Sequence, residues 1–257
     1  MKFLLIASNR DPASKNIAKC IREEFGVDVF EVEKELLSIT SDDLETAHYY
    51  IFLSKHRSKA GKPSLTVHTP GNLTENNEFG GNPKEVCPSD AILNTLLLKN
   101  IYNTYVEFHK LGKIGNFDVS FEVVHHSPTD LKAPTVFVEI GSTEKEWRLK
   151  EAGEVIAKSV LDTIEMIKSK NYDKKIKAVG FGGGHYAPKF TKLALSGDYY
   201  FSYLIPKYCS VDEDVLTQLF EKTDVDIALI DWKGCKGEDK KRYVKFFEKE
   251  GIKWEKI

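Results

Sequence analysis

The sequence predicts an α/β protein with a single domain, in which helices flank a central mixed β-sheet. Short apolar runs alternate with longer amphipathic stretches along the 257 residues, as strands and helices do when they alternate in a chain. No internal repeat, low-complexity tract or Ser/Pro-rich linker interrupts this pattern. We therefore predict one domain over residues 1–257.

The first half of the chain is predicted to contain four strands and two helices. The apolar run at residues 2–7 is too short for an export signal, so we interpret it as the first strand. Asp11 and Pro12 suit the N-cap and first position of a helix that stops near Gly26. A polar loop over about 72–88 has the length of a functional loop. The other elements are strands around Val27–Val32, at Tyr49–Leu53 and at Leu65–His68, and a helix from Ser89 or Asp90 to about Leu111.

The second half repeats the alternation. Thr143 and Glu146 have the spacing of a capping box, which predicts a helix that runs to about Ser169. One helix is expected between the last two strands and another after them. The strands are predicted at Phe117–His125, Pro134–Ile140, Ile176–Phe181, Tyr199–Ile205 and Ile227–Ile230.

The bulk composition excludes several classes of protein. No stretch approaches the roughly 18 apolar residues of a spanning helix, so no membrane association is expected. The four cysteines are far apart and form no CxxC pair, which argues against a disulfide framework and is consistent with the cytoplasm. A net charge of −2 gives no global attraction to nucleic acid. Without a heptad or an apolar interface stripe, a monomer is expected.

Four of the seven histidines follow predicted strands: His68, His125, His126 and His185. Ligand sites of α/β sheets collect at strand ends, and histidine can act there as base, acid or metal ligand. The alternative is that each is an ordinary loop or core histidine. His125 and His126 would face opposite sides of a regular strand, so His126, nearer the turn, is favoured for the site.

Glu139 lies inside the apolar run Pro134–Ile140. A buried carboxylate without a partner is costly. We therefore expect Glu139 either at an exposed edge or paired with a histidine, a metal or a ribose hydroxyl.

Three consecutive glycines, Gly182, Gly183 and Gly184, precede His185. Such a run weakens a strand and needs a reason, such as a positive φ or the close approach of a ligand. Its amides could form a nest for a phosphate or an oxyanion, or the run could be a tight crossover turn. It lacks the ending of a Walker loop, and no GxSxG elbow is present elsewhere.

The segment 55–62 is strongly basic and precedes the His68 turn. We expect it, with Lys55 and Arg57, to contact phosphates, with affinity that falls as salt rises. A second basic stretch near the C-terminus also carries acids and is more typical of a solvated face.

Several segments together resemble the D-aminoacyl-tRNA deacylases of archaea and plants. The resemblance runs from the first strand to about residue 232. Its motifs are Ser54-Lys55-His56-Arg57-Ser58, Val67-His68-Thr69-Pro70-Gly71-Asn72, Val124-His125-His126-Ser127-Pro128-Thr129, Phe137-Val138-Glu139-Ile140-Gly141-Ser142-Thr143 and Gly182-Gly183-Gly184-His185-Tyr186-Ala187-Pro188.

The resemblance implies hydrolysis of the ester between a D-amino acid, such as D-tyrosine, and the 3′ end of tRNA. It also implies a fold like that of peptidyl-tRNA hydrolases and nucleoside phosphorylases, and zinc as cofactor. The predicted catalytic residues are His68, His126, His185 and Glu139. Contacts to substrate are expected from Gly182–Gly184, Thr69, Lys55 and Arg57. The candidate metal ligands are His68, His125, His126, His185 and Glu139.

Two other functions stay open at this stage. A phosphorylase or hydrolase of small nucleosides would be insensitive to tRNA and to salt. A non-catalytic RNA-binding module would bind tRNA without turnover.

Overall fold

Ten strands form two sheets in the computed structural model, which describes residues 1–257. The strands are β1 (Phe3–Ser8), β2 (Phe30–Val32), β3 (Tyr49–Arg57), β4 (Ser64–His68), β5 (Asp118–Phe121), β6 (Thr135–Ser142), β7 (Ile176–Phe181), β8 (Tyr199–Ile205), β9 (Ile227–Ile230) and β10 (Trp254–Lys256). The six-stranded sheet has the order β2-β1-β3-β6-β4-β5, and the four-stranded sheet the order β10-β9-β7-β8. All neighbouring strands are parallel except β4 and β6, which are antiparallel.

Seven helices cover the sheets: α1 (Pro12–Phe25), α2 (Ala91–Lys110), α3 (Glu144–Trp147), α4 (Lys150–Ser169), α5 (Pro188–Ser196), α6 (Glu213–Glu221) and α7 (Gly237–Glu250). Helices α1, α2 and α4 bury one face of the six-stranded sheet in the largest apolar core. Helices α6 and α7 pack on the four-stranded sheet in a second core. None of the helices combines the length and apolar character needed to cross a membrane. The predicted α/β fold, with a mixed sheet flanked by helices, is thus confirmed.

The two sheets meet at residues 122–124. The backbone N–H of Glu122 donates to Val67 of β4 at 2.9 Å, and that of Val124 donates to Leu204 of β8 at 2.8 Å. Between them, the N–H of Val123 donates to the carbonyl of His185 at 2.9 Å. This junction, residues 122–124, therefore joins β4 to β8. It also corrects the predicted strand 117–125, because β5 ends at Phe121 and the chain passes from β4 to the second sheet between Glu122 and Val124.

The predicted helix from Thr143 to Ser169 is interrupted. The capping box of Thr143 and Glu146 is present, but it begins only the short α3, and Leu149 is extended before α4 begins. The Asn16 side chain explains the break, because its Nδ2 donates to the carbonyls of Trp147 at 3.0 Å and of Leu149 at 2.8 Å. Asn16 thus satisfies carbonyls that a continuous helix would use itself.

The predicted loop over about 72–88 is ordered around Asn72. Its Nδ2 donates to the carbonyls of Gly80 at 2.8 Å and Asn82 at 3.0 Å. The loop also reaches the residues that follow His126, because the hydroxyl of Ser127 donates to the carbonyl of Phe79 at 2.7 Å. The loop therefore packs beside the candidate site.

Candidate active site

One face of the six-stranded sheet is polar where β3, β6 and β4 adjoin. Side chains alternate along a strand, so His56, Glu139 and His68 share the face that α1, α2 and α4 leave uncovered. All three are buried, and Glu139 is only 2% exposed. Of the two alternatives for Glu139, the exposed edge is excluded because β6 is a central strand, and pairing with a histidine is found, since His56 Nδ1 lies 3.5 Å from its carboxylate.

Glu122 of the junction lies opposite this face and is surrounded by histidines. Its carboxylate is 3.1 Å from His56 Nδ1, 3.4 Å from His125 Nε2 and 2.7 Å from His185 Nε2. Because both sheets and the junction contribute, residues distant in sequence converge here. We call the set His56, His68, Glu122, His125, His126, Glu139 and His185 the histidine–glutamate cluster.

His125 and His126 both belong to the cluster, because the strand has ended before them. His126 adopts a left-handed backbone with φ of 49°, which lets consecutive side chains share one side. Each ring is fixed through Nδ1, which faces the carbonyl of Val123 at 2.8 Å in His125 and that of Ser127 at 2.7 Å in His126. These contacts favour donation from Nδ1–H, which places the lone pair of each ring on Nε2, toward the rest of the cluster.

His68 completes a three-histidine group. Its Nε2 is 3.1 Å from Nε2 of His126, and its ring centroid is 4.2 Å from that of His125. Its Nδ1 has no hydrogen-bond partner, and the nearest carboxylate, Glu139, is 4.0 Å away.

The electrostatics keep these three histidines neutral. Burial lowers the pKa of His125, lowers that of His126 to about 3, and holds that of His68 well below its usual value. For His56 burial also lowers the pKa, but Glu139 and Glu122 outweigh it and the net pKa is raised. The cluster thus contains neutral imidazoles suited to bind a cation and one imidazole suited to carry charge.

The two buried carboxylates differ in the same way. Burial, aided by the charge of Glu122, raises the pKa of Glu139 in spite of His56. Burial also acts on Glu122, but His185, His125 and His56 together lower its pKa. The pKa values of two carboxylates that share one site shift in opposite directions in this manner. Glu122 therefore stays ionised while Glu139 can hold a proton.

His185 follows β7, but the glycines before it are not an anion nest. The N–H of Gly182 donates to Ile205 at 2.7 Å and that of Gly183 donates to Gly234 at 2.8 Å, so neither amide is free. The predicted role of these two amides in substrate binding is therefore wrong. Both have positive φ, 110° and 81°, which supports the alternative of a tight turn. The substrate contact predicted for Gly184 stays a prediction.

Three other residues predicted to contact substrate lie outside the cluster. Thr69 is buried, and its hydroxyl lies 2.8 Å from that of Ser89, so a substrate contact by this side chain stays a prediction. Lys55 and Arg57 alternate with His56 and point to the opposite face. Lys55 approaches Glu35 at 3.5 Å, and the Arg57 guanidinium lies over the Trp147 ring at 5.4 Å. They are thus separated from the cluster, and a phosphate contact by the exposed Arg57 stays a prediction.

Sequence reasoning missed His56, Glu122 and Tyr186. Glu122 stands in an apolar run, between Phe121 and Val123, which is the signal that identified Glu139. His56 was counted only as part of a basic segment, because β3 was predicted to end at Leu53. Tyr186 follows His185, and its hydroxyl lies 3.0 Å from His56 Nε2.

The donors of the cluster fit a divalent metal ion. His68, His125 and His126 offer ligand atoms within 4.8 Å of one another, as do His56, Glu122 and His185. The carboxylate of Glu122 is buried and faces nitrogens of three histidines, and His68 Nδ1 has no hydrogen-bond partner. Buried polar atoms without partners are rare, and neutral imidazoles with carboxylates are the donors that zinc accepts.

Comparison with known proteins places this site in a family. The profile of the D-aminoacyl-tRNA deacylase family matches residues 44–255, a span that contains the whole cluster. The chain belongs to the D-aminoacyl-tRNA deacylase family. The resemblance inferred from the motifs is thereby confirmed, as is the prediction of a hydrolase that acts on ester bonds.

Relatives from methanogenic archaea agree along the chain. A D-aminoacyl-tRNA deacylase of Methanocaldococcus jannaschii is 75% identical over 257 residues, with both chains fully covered. One of Methanococcus maripaludis is 52% identical, again over the full length of both. A solved structure described as a conserved protein of unknown function has a TM-score of 0.86 at 27% identity, covering 99% of this chain and 95% of the other. This structural likeness supports the α/β fold described above.

Proposed function

We propose that the chain hydrolyses the ester between a D-amino acid and the 3′ end of tRNA, and that the histidine–glutamate cluster is the catalytic site. The observation that carries this proposal is the convergence of five histidines and two glutamates at the junction, with His68 Nδ1 left without a hydrogen bond. Such groups of titratable side chains are typical of hydrolytic sites. Family membership supports the substrate class.

The proposal includes zinc. His68, His125 and His126 would hold the ion. When bound, zinc supplies Lewis acidity and lowers the pKa of a bound water.

The other residues supply proton transfer and orientation. Glu139, with its raised pKa, is suited to accept a proton from the attacking water. His185 has 34% of its side chain exposed and is placed to donate a proton to the leaving ribose oxygen. Glu122, 2.7 Å from His185 Nε2, stabilises the protonated ring. His56 and Tyr186 position each other through their 3.0 Å contact.

The test follows release of D-tyrosine and L-tyrosine from matched charged tRNAs by native, chelated and zinc-restored protein, with metal content measured on each sample. D-selective release that is lost on chelation and regained with zinc is the expected result. If release is D-selective but unchanged by the chelator, the proposed function stands and the proposed zinc is rejected. No release above the enzyme-free control, from folded protein, would reject the function.

We also propose that the chain acts as a monomer in the cytoplasm. One chain supplies all seven residues of the cluster, so no partner subunit is needed to complete it. The four cysteines are free, as suits a reducing compartment. Light scattering coupled to gel filtration tests the oligomeric state, and activity confined to a dimer fraction would contradict this part.

A further inference from the structure

A cavity of about 730 Å³ opens beside the cluster, between the edge strand β5 and helix α5. Val119, Leu195 and Pro188 give it apolar walls, and the ring of Tyr186 forms the end nearest the cluster. Because the Tyr186 hydroxyl lies 3.0 Å from His56 Nε2, the cavity and the cluster share this side chain. A substrate held in the cavity therefore adjoins the catalytic residues.

The charged side chains that line the cavity are Lys62, Lys192 and Asp118, which give its mouth a net charge of +1. Lys62 and Lys192, on its two sides, form no salt bridge, whereas the nearby Lys189 pairs with Asp231 at 2.9 Å. Unpaired ammonium groups at the rim of a partly apolar cavity suit a ligand with a phosphate and a flat, apolar ring. The polar lining residues Asp118 and Ser120 offer acceptors for amino or hydroxyl groups of that ligand.

We propose that this cavity binds the 3′-terminal adenosine nucleotide of the tRNA. The adenine lies against Val119 and Leu195, Tyr186 contacts the ribose, and Lys62 and Lys192 contact the 5′-phosphate of that nucleotide. The inference rests on the proposed function, since the ester is carried by the ribose of this nucleotide. The cationic mouth favours the nucleotide over the amino-acid side chain, which carries no phosphate.

The first test measures binding of AMP to the full chain by calorimetry and its inhibition of D-tyrosyl-tRNA hydrolysis, with CMP for comparison. AMP is expected to bind and to compete, and CMP to do so more weakly, because a purine covers more of the apolar walls than a pyrimidine does. K62E and K192E are each expected to weaken AMP binding about tenfold, as for loss of one charge-assisted hydrogen bond. K174E is the control, because Lys174 is exposed and precedes β7 at the end remote from the cluster.

A second variant separates the nucleotide from the amino acid. S120W fills the cavity and is expected to raise KM by the same factor for D-tyrosyl-tRNA and D-alanyl-tRNA. Unequal factors would assign the cavity to the amino-acid side chain and overturn the inference. Equal binding of AMP and CMP, or AMP binding unaffected by K62E and K192E, would also overturn it. Hydrolysis of D-tyrosyl-tRNA by the unaltered protein tests the proposed function independently of all these outcomes.

Discussion

Individual side chains gain their chemistry from burial and from one another. A glutamate in water is an ordinary acid, but Glu122 and Glu139 are buried around His56, and their pKa values move in opposite directions. Three further histidines are kept neutral by burial. The site therefore contains groups that can carry a proton and separate neutral histidines that can bind a cation, all built from ordinary residue types.

The role of Glu122 can be tested by one conservative change. E122Q keeps the size of the side chain but removes the charge that faces His56, His125 and His185. We expect kcat to fall at least about 100-fold, the usual scale of acid–base assistance. Initial rates on D-tyrosyl-tRNA measure it. E78Q, at an exposed position, is the control. A rate within twofold of the unaltered protein would remove Glu122 from the mechanism.

The glycines before His185 give a second prediction at this scale. Gly182 has a φ of 110°, and an added Cβ would lie 3.1 Å from the carbonyl oxygens of Asp231 and Gly234. G182A is expected to lower the free energy of unfolding by about 1–3 kcal/mol. Around Gly184 the space is open, so G184A is the matched control. Urea titrations compare the two, and equal midpoints would contradict the argument.

Single elements show how far the sequence predicts local structure. The caps of Asp11 and Asp90 form as expected, and β7, β8 and β9 match their predicted bounds. Apolar periodicity and capping are local signals, which a sequence displays directly. The break between α3 and α4 was missed, because its cause is a side chain of α1, more than a hundred residues earlier.

That break predicts a non-additive pair of substitutions. An added Cβ at Gly153 would lie 2.6 Å from Asn16 Oδ1, so G153A should destabilise the protein. N16A should also destabilise it, by about 1–3 kcal/mol, since two carbonyls lose their donor. In the N16A background the clash is gone, and G153A should add about 0.5–1 kcal/mol through helix propensity. Denaturant unfolding of the four proteins measures this cycle, and additive effects would refute it.

At the scale of the whole molecule, the cluster depends on the packing of both sheets. The strand-end histidines His68 and His185 were predicted from sequence. Their shared partner Glu122 was not, because a junction between two sheets leaves no periodic signal. The same long-range packing buries Thr69 and places Lys55 and Arg57 on the other face, so these three predicted substrate contacts lie outside the cluster.

The proposed metal predicts a change in global stability. An ion that binds the folded protein alone stabilises it by about 2.7 kcal/mol at a hundredfold excess over Kd. We therefore expect the Tm to fall with a chelator and to recover with zinc. H68A, which removes one ligand of the three-histidine group, should abolish this response. H109A is the control, because His109 lies on α2 away from the cluster. An identical response in H68A would place any bound zinc elsewhere.

The junction at residues 122–124 also has a consequence for folding. The six-stranded sheet carries His56, His68 and Glu139, and the four-stranded sheet is followed by His185 after β7. Glu122 lies at the junction between the two sheets. No partly folded chain with only one sheet assembled contains the complete cluster. Loss of activity and separation of the sheets should therefore follow one cooperative transition. A nascent or damaged chain would hydrolyse nothing until its two halves had docked.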